Sequence, residues 1–112
     1  MAKERALWPR KQLNESIESS VDALICELKC RSEVELHIAP PFSSVTKSIM
    51  GVDVRFTTFV ERYEDGRALF LVRSDRKLAF GLISAGTTSG FWRLPDGKLI
   101  DASDNDVLNF FS

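Results

Sequence analysis

The stretch VDVRFTTFVERYEDGRALFLVRSDRKLAFGLISAGTTSGFWRLPDGKLI, residues 52–100, decides the fold of this chain. Its apolar residues occur in short runs or alternate with polar ones, which is typical of strands in an antiparallel sheet. The runs are separated by segments rich in turn-forming residues. These segments are Glu64–Gly66, Ser74–Arg76, Ala85–Ser89 and Pro95–Gly97.

The turn at Asp65-Gly66 fixes how the first two of these strands pair. A tight turn at this point places Phe59 beside Leu71 and Thr57 beside Arg73. Residues 67–73 are apolar on both faces, as expected for a central strand that is covered on both sides. In the next strand, Leu78, Phe80 and Leu82 are predicted to face inward.

This pairing gives the sheet a second apolar face, opposite the one that carries Val54, Phe56 and Phe70. It is predicted to hold Phe59, Leu69 and Leu71, with small residues at positions 79 and 81. One helix cannot cover both faces of a sheet. The second face therefore needs another cover: a C-terminal helix, the segment 6–8, or a partner protein.

An N-terminal helix over about residues 9–31 is predicted to cover the first face. Its apolar residues recur at helical spacing and form one stripe: Leu13, Ile17, Val21, Leu24, Ile25 and Leu28. Residues 1–8, which precede Pro9, are expected to be frayed. Small residues form a second stripe, which is either a solvated surface or a helix-packing face.

Three shorter elements complete the expected α+β fold of five or six strands. Residues 33–38 alternate between polar and apolar, which predicts an edge strand. Phe42, Val45 and Ile49 recur at helical spacing, which predicts a short helix near 43–50 that Gly51 ends. Ser103 and Asp106 form an S-x-x-D capping pattern that opens a helix near 104–111.

Length and composition limit the protein class. A chain of 112 residues forms a single domain, and 44% hydrophobic residues with eight phenylalanines suffice for a core. A net charge of −1 argues against nucleic acid as a partner, because nucleic-acid-binding domains usually carry a surplus of positive charge. No apolar run is long enough to span a membrane, and the start lacks a signal-peptide core. We therefore expect a cytoplasmic protein with reduced thiols.

The residues that could support catalysis or metal binding are few. His37 is the one histidine, so any Ser–His or Cys–His pair would have to use it. Cys26 and Cys30 lie on one face of the predicted helix, but zinc would need two further ligands. We expect no enzyme activity, no catalytic residue, no metal and no cofactor.

Residues 85–90 are predicted to form a loop that could bind a small ligand. Two glycines and three hydroxyl residues there could present N–H and O–H donors to an anion. The lysine that follows glycine in a phosphate-binding P-loop is missing, so that motif is excluded. The candidate ligand residues are Thr87, Thr88, Ser89 and the nearby Trp92.

The uncovered second face favours a non-catalytic interaction module, acting as an adaptor, an inhibitor or a self-assembling subunit. Aromatic and arginine side chains beside leucines are typical of protein contacts. The candidate partner-binding residues are Phe59, Leu69, Leu71, Phe91 and Arg93. The expected partner is a second copy in a homodimer or another protein. The alternative is a small-ligand pocket between the sheet and the N-terminal helix.

Overall fold

A computed structural model describes the backbone of residues 2–77 and 83–111, and the side chains of residues 11–32, 34–76 and 86–111. An N-terminal helix packs on a five-stranded antiparallel sheet, which confirms the predicted α+β class. The elements in chain order are α1 Ala2–Lys29, α2 Glu33–Ile38, β1 Phe42–Ile49, β2 Val52–Arg62, β3 Ala68–Lys77, β4 Ile83–Arg93, β5 Leu99–Asp101 and α3 Asp104–Phe110.

The strands lie in the sheet in the order in which they occur in the chain, β1-β2-β3-β4-β5. The predicted pairing of β2 with β3 is confirmed, because Phe59 is the partner of Leu71 and Thr57 the partner of Arg73. The turn at Gly66, whose φ is +91°, sets this register. Gly97 has φ +89° and serves the turn between β4 and β5 in the same way.

Helix α1 and the first face of the sheet enclose the main core. Five of the six predicted stripe residues are buried, and Leu24 is half-buried at the edge of the core. On the sheet side, the rings of Phe70 and Phe91 stack with centroids 5.0 Å apart and planes 8° apart. Their neighbours in this core include Val54 and Phe56, both buried.

Two of the predicted short elements are wrong. Residues 33–38 form helix α2 rather than a strand, because Ser32 caps the helix by accepting a hydrogen bond from the backbone N–H of Glu35. The alternation in this segment is misleading, since only Leu36 is buried while Val34 and Ile38 are exposed. Nη2 of Arg62 binds the carbonyl oxygens at the end of α2 at 2.7–3.0 Å.

The helix predicted near residues 43–50 is strand β1. Its register with β2 is unbroken from Phe42 to Ile49. Met50 and Gly51 both have positive φ, 51° and 79°, and make the two-residue turn that joins the strands. A tight hairpin needs this backbone geometry. Gly51 therefore serves a turn and does not end a helix.

Two predicted turns also lie inside strands. Ser74–Arg76 belongs to β3, and Ala85–Ser89 belongs to β4. The register shifts between Arg73 and Asp75, because residues 86 and 87 of β4 together lie opposite Ser74, which makes a bulge in β4. At this position the Ser74 hydroxyl donates a hydrogen bond to the carbonyl oxygen of Thr87 and accepts one from the backbone N–H of the same residue. The strand predicted around Leu78, Phe80 and Leu82 lies outside the described residues.

The glycines that resemble loop residues are needed for close packing within β4. A Cβ on Gly86 would lie 2.5 Å from Oγ of Ser74. A Cβ on Gly90 would lie 2.1 Å from the carbonyl oxygen of Phe70, where no atom fits. Glycine inside a strand often marks such close approach of another backbone. The composition of residues 85–90 thus reflects packing of β4 on β3.

Truncation of the stacked core aromatic should destabilise the protein strongly. Phe70→Ala removes a fully buried ring and its stacking partner contact, so we expect a loss of about 3–5 kcal/mol in the free energy of unfolding. The matched control is Phe42→Ala, because 61% of Phe42 is already exposed. Urea unfolding measures both. Equal midpoints for the two variants would contradict this core.

Candidate interaction surface

The second face of the sheet, on the side away from α1, is covered in part by helix α3. A capping box starts this helix: the Ser103 hydroxyl accepts from the Asp106 N–H, and the Asp106 carboxylate accepts from the Ser103 N–H at 2.8 Å. The predicted C-terminal helix is thereby confirmed. Acidic residues in its first turn also favour its N-terminus electrostatically.

A polar contact and a set of aromatic contacts hold α3 on the sheet. The Trp92 indole N–H donates to Oδ2 of Asp106 at 3.0 Å. The ring of Phe59 lies 5.5 Å from that of Phe110 and 5.4 Å from that of Phe111, measured between centroids. No residue of α3 is itself buried. The helix therefore packs on the sheet while its own side chains stay at least partly exposed.

Four phenylalanine rings form a continuous group at the junction of β1, β2 and α3, which we name the aromatic surface: Phe42, Phe59, Phe110 and Phe111. The Phe42 ring meets the Phe59 ring edge-on at 5.6 Å, and Phe110 contacts Phe111 at 5.0 Å. Phe42 is 61% and Phe111 is 41% exposed. Large aromatic side chains with this exposure are candidates for a protein contact.

Charged residues border the aromatic surface on the same face. The Arg73 guanidinium lies 5.4 Å from the centroid of the Phe111 ring. Nε of Arg73 also binds Asp75 at 3.0 Å, and Arg55 approaches the other carboxylate oxygen at 3.8 Å. Asp75 is nearly buried, while Arg55 is half-exposed. An arginine that is held by a carboxylate and lies over a ring is well fixed in orientation.

The five predicted partner-binding residues do not lie together on one surface of the structure. Phe59 belongs to the aromatic surface. Leu69 and Leu71 lie on the predicted face, but they are 1% and 0% exposed within the single chain. Phe91 is buried on the opposite face, in the core with α1, and Arg93 pairs with Ala68 on that same side. Only Phe59 contributes to an accessible apolar surface.

The four predicted ligand-binding residues do not form a loop site. Thr87, Thr88 and Ser89 lie in β4. The backbone N–H of Thr87 already donates to the Ser74 hydroxyl. Thr88 and Ser89 both pair with β3, and because they are neighbours in a strand their side chains lie on opposite faces of the sheet. The indole N–H of Trp92 is used by Asp106.

An open cleft of about 270 Å³ lies between α1 and the bulge of β3 and β4. Asn14, Ser74, Arg76 and Thr87 are among its lining residues. Nη1 of Arg76 spans it to Oδ1 of Asn14 at 3.3 Å. Of the predicted ligand residues, Thr87 alone lines this cleft.

The remaining chemically active residues lie apart from both features. His37 lies on α2, and Cys26 and Cys30 are free, exposed thiols on or beside the end of α1. Among the residues with described positions, no group of three His, Cys, Asp or Glu side chains could hold a metal ion. Within the same part of the chain, no helix is long and apolar enough to cross a membrane.

Sequence reasoning missed Phe42, Phe110 and Phe111 as contact residues. The helical spacing of Phe42 with Val45 and Ile49 predicts a short helix, whereas the structure places Phe42 on an edge strand next to Phe59. The two C-terminal phenylalanines are predicted to cover the second face, and they do contact it, but both keep exposed area. The available signal was their density: three phenylalanines near the ends of predicted elements, in a chain with eight.

The attachment of α3 should weaken in acid. The hydrogen bond from Trp92, followed by that from the Ser103 backbone, lowers the pKa of the Asp106 carboxyl below its ordinary value of 3.8. A carboxyl with a lowered folded-state pKa stabilises the fold above its unfolded pKa. This contribution disappears as the pH falls through the folded value.

We therefore expect Asp106→Asn to reduce the urea midpoint at pH 7 and to reduce its loss between pH 4 and pH 2. The NMR signal of the Trp92 indole N–H should shift in the variant and, in wild type, on acidification. Asp104→Asn is the control, because it removes the same charge from the same helical turn. An unchanged acid response in Asp106→Asn would show that this contact does not hold α3.

Comparison with known proteins gives no further identification. Neither the protein-family models, nor the curated proteins, nor the solved structures include a significant match to this chain.

Proposed function

We propose that this chain is a non-catalytic protein-interaction module that binds its partner with the aromatic surface. The observation that carries the proposal is the exposure of Phe42 and Phe111 within a group of touching rings. Exposed rings that already contact each other lose little conformational freedom on binding. They offer a large apolar area to a partner at a low entropic cost.

The border of the aromatic surface supports a protein as the partner. Arg73 lies against the Phe111 ring, and Arg55 approaches Asp75 on the same face. Aromatic residues and arginine are the side chains most enriched at protein contacts. A nucleic-acid partner would need a surplus of positive charge, whereas Asp75 lies between these two arginines and the net charge is −1.

The experiment compares two charge substitutions of equal chemistry. Phe42→Glu places a carboxylate in the aromatic surface, and Val34→Glu places one on α2, where the native side chain is 70% exposed. A partner purified from the source cells is titrated against wild type and both variants by calorimetry. We expect Phe42→Glu to weaken binding by about tenfold or more and Val34→Glu to leave it unchanged.

Both variants should unfold at nearly the wild-type urea concentration, because the altered side chains are exposed. Equal affinity of wild type and Phe42→Glu for a stoichiometric partner would disprove the role of the aromatic surface. A partner displaced by Val34→Glu instead would locate the contact on α2.

A small-ligand protein is the second candidate, supported by the cleft between α1 and the β3–β4 bulge. Its volume of about 270 Å³ is slightly below the range of about 300–1,000 Å³ that is usual for small-molecule sites. Ser74 and Thr87 supply a hydroxyl and backbone groups there, although they already bind each other. A ligand in this cleft would shift the amide NMR signals of Asn14 and Thr87 and leave those of Phe42 and Phe111 unchanged.

A further inference from the structure

Among the strands that the structure describes, β1 forms one edge of the sheet, and its outer side is open from Phe42 to Ile49. It pairs with β2 over eight residues without a bulge, and in the described part of the chain β2 is its one neighbour. The opposite edge, β5, has three residues. Proteins commonly protect edge strands by short length, bulges, prolines or charges. Among these protections β1 carries a single charge, Lys47.

The register of β1 shows which backbone groups point outward. The N–H of Val60 donates to the carbonyl of Pro41 at 3.0 Å, so the pair of residues 41 and 60 is hydrogen-bonded. Such pairs alternate along an antiparallel ladder. Positions 43, 45, 47 and 49 therefore bond to β2. The outward N–H and C=O groups belong to Phe42, Ser44, Thr46 and Ser48.

The β1 strand of a second copy of the chain can form hydrogen bonds with all of these outward N–H and C=O groups in one arrangement. Two antiparallel β1 strands side by side are related by a two-fold axis perpendicular to the sheet, which keeps equivalent faces on the same side. Outward residues must then pair with outward residues. With the axis at Val45, Phe42 pairs with Ser48 and Ser44 with Thr46 of the other copy, and no outward group is left over. Moving the axis to Thr46 leaves Phe42 without a strand partner.

The side chains of β1 agree with this register. Val45, which is 46% exposed, meets the Val45 of the second copy as a close, non-hydrogen-bonded pair. Lys47 lies opposite Ser43, so the one charge of the strand does not face its own copy. Ser44 lies opposite Thr46, which pairs two hydroxyl residues. Helix α1 lies closer to β3 and β4 than to β1, and the β1 side chains from Phe42 to Ser48 remain exposed beside it.

We propose that the chain forms a homodimer by antiparallel pairing of β1 with β1 of a second copy, with the two-fold axis at Val45, which gives a continuous ten-stranded sheet. The contact uses the backbone of β1 and leaves the rings of the aromatic surface on the outside. The backbone of Phe42 takes part in this contact while its ring belongs to the aromatic surface, so Thr46→Pro, which leaves the rings unchanged, is the variant that separates the dimer from the proposed partner binding. The two α1 helices lie on one side of the joined sheet and the two aromatic surfaces on the other.

The contact is small, so the dimer should dissociate on dilution. Seven paired residues span roughly 24 Å at about 3.4 Å per residue. A single strand pair buries less than the area of roughly 800 Å² per chain that is usual in stable complexes. We expect a dissociation constant in the micromolar range and a light-scattering mass approaching twice 12.6 kDa at about 200 μM.

The decisive variant is Thr46→Pro, with Thr46→Ala as its control. The N–H of Thr46 points outward, so proline removes a donor from the proposed dimer contact without removing a bond to β2. Because of the two-fold symmetry, the substitution removes two hydrogen bonds from the contact, one for each copy. The dissociation constant should therefore rise roughly tenfold or more. Alanine keeps the N–H and should keep the dimer. Circular dichroism and urea midpoints confirm that both variants are folded.

Disulfide trapping tests the register. In a Cys26→Ser/Cys30→Ser background, Val45→Cys places two thiols in a non-hydrogen-bonded pair with Cα atoms about 4.5 Å apart, which suits a disulfide. Lys47→Cys is the control, since its two copies lie four residues apart along the strands, roughly 14 Å. Mild oxidation should cross-link the first variant and not the second.

Three results would overturn the proposal: a monomeric mass at 200 μM, a dimer that Thr46→Pro leaves intact, or cross-linking through Thr46→Cys in place of Val45→Cys. None of them bears on the aromatic surface. A monomer that still binds a partner, and loses it in Phe42→Glu, would refute the dimer and retain the proposed function. A dimer that binds no such partner would support the dimer and refute the proposed function.

Discussion

Residues 68–72 of β3 are buried on both faces of the sheet, and this constraint accounts for the positions of α1 and α3. Ala68, Phe70 and Val72 face α1, while Leu69 and Leu71 face the other side. A strand buried twice needs an apolar cover on each face. Helix α1 supplies the first with a long stripe of side chains. Helix α3 and its flanking phenylalanine rings contribute to the second.

The two helices cover their faces to very different extents. Helix α1 has 28 residues and inserts a row of aliphatic side chains into the core, whereas α3 has seven residues and buries none of them fully. The short helix leaves one border of its face uncovered, where Phe42 and Phe111 remain accessible. The aromatic surface thus lies where α3 ends and the second face continues towards the edge strand β1.

Local sequence patterns were sufficient to predict four features: the apolar pattern predicts the long helix and the central strand, the Asp65-Gly66 turn predicts the β2–β3 register, and the Ser103/Asp106 cap predicts the C-terminal helix. Each of these depends on a local pattern of several residues that agree with one another. The predictions were wrong where one residue type is common both in loops and at special positions within strands. Ser74, Gly86 and Gly90 resemble loop residues, but they fit a bulge and a close backbone contact that only the paired strand explains.

Helix α2 and strand β1 show the same limit over short segments. Alternation in residues 33–38 suggested a strand, although Ser32 and Glu35 also fit a helix-capping pattern. Helical spacing of Phe42, Val45 and Ile49 suggested a helix, although Val45 and Thr46 are β-branched. A few residues fit both periods, and pairing with β2 decides. The candidate surface was therefore only partly predictable, because Phe42 reaches Phe59 only through that pairing.

The agreement between chain order and sheet order has a consequence for how the protein folds. Every strand pairs with its neighbour in sequence, so each hairpin can close a short loop at small entropic cost. Contacts between α1 and the far end of the sheet are of another kind: Lys29 meets Asp101 across 72 positions of the chain. We expect the hairpins to form early in the folding reaction and the helix to dock late, since long loops close only after local contacts have formed.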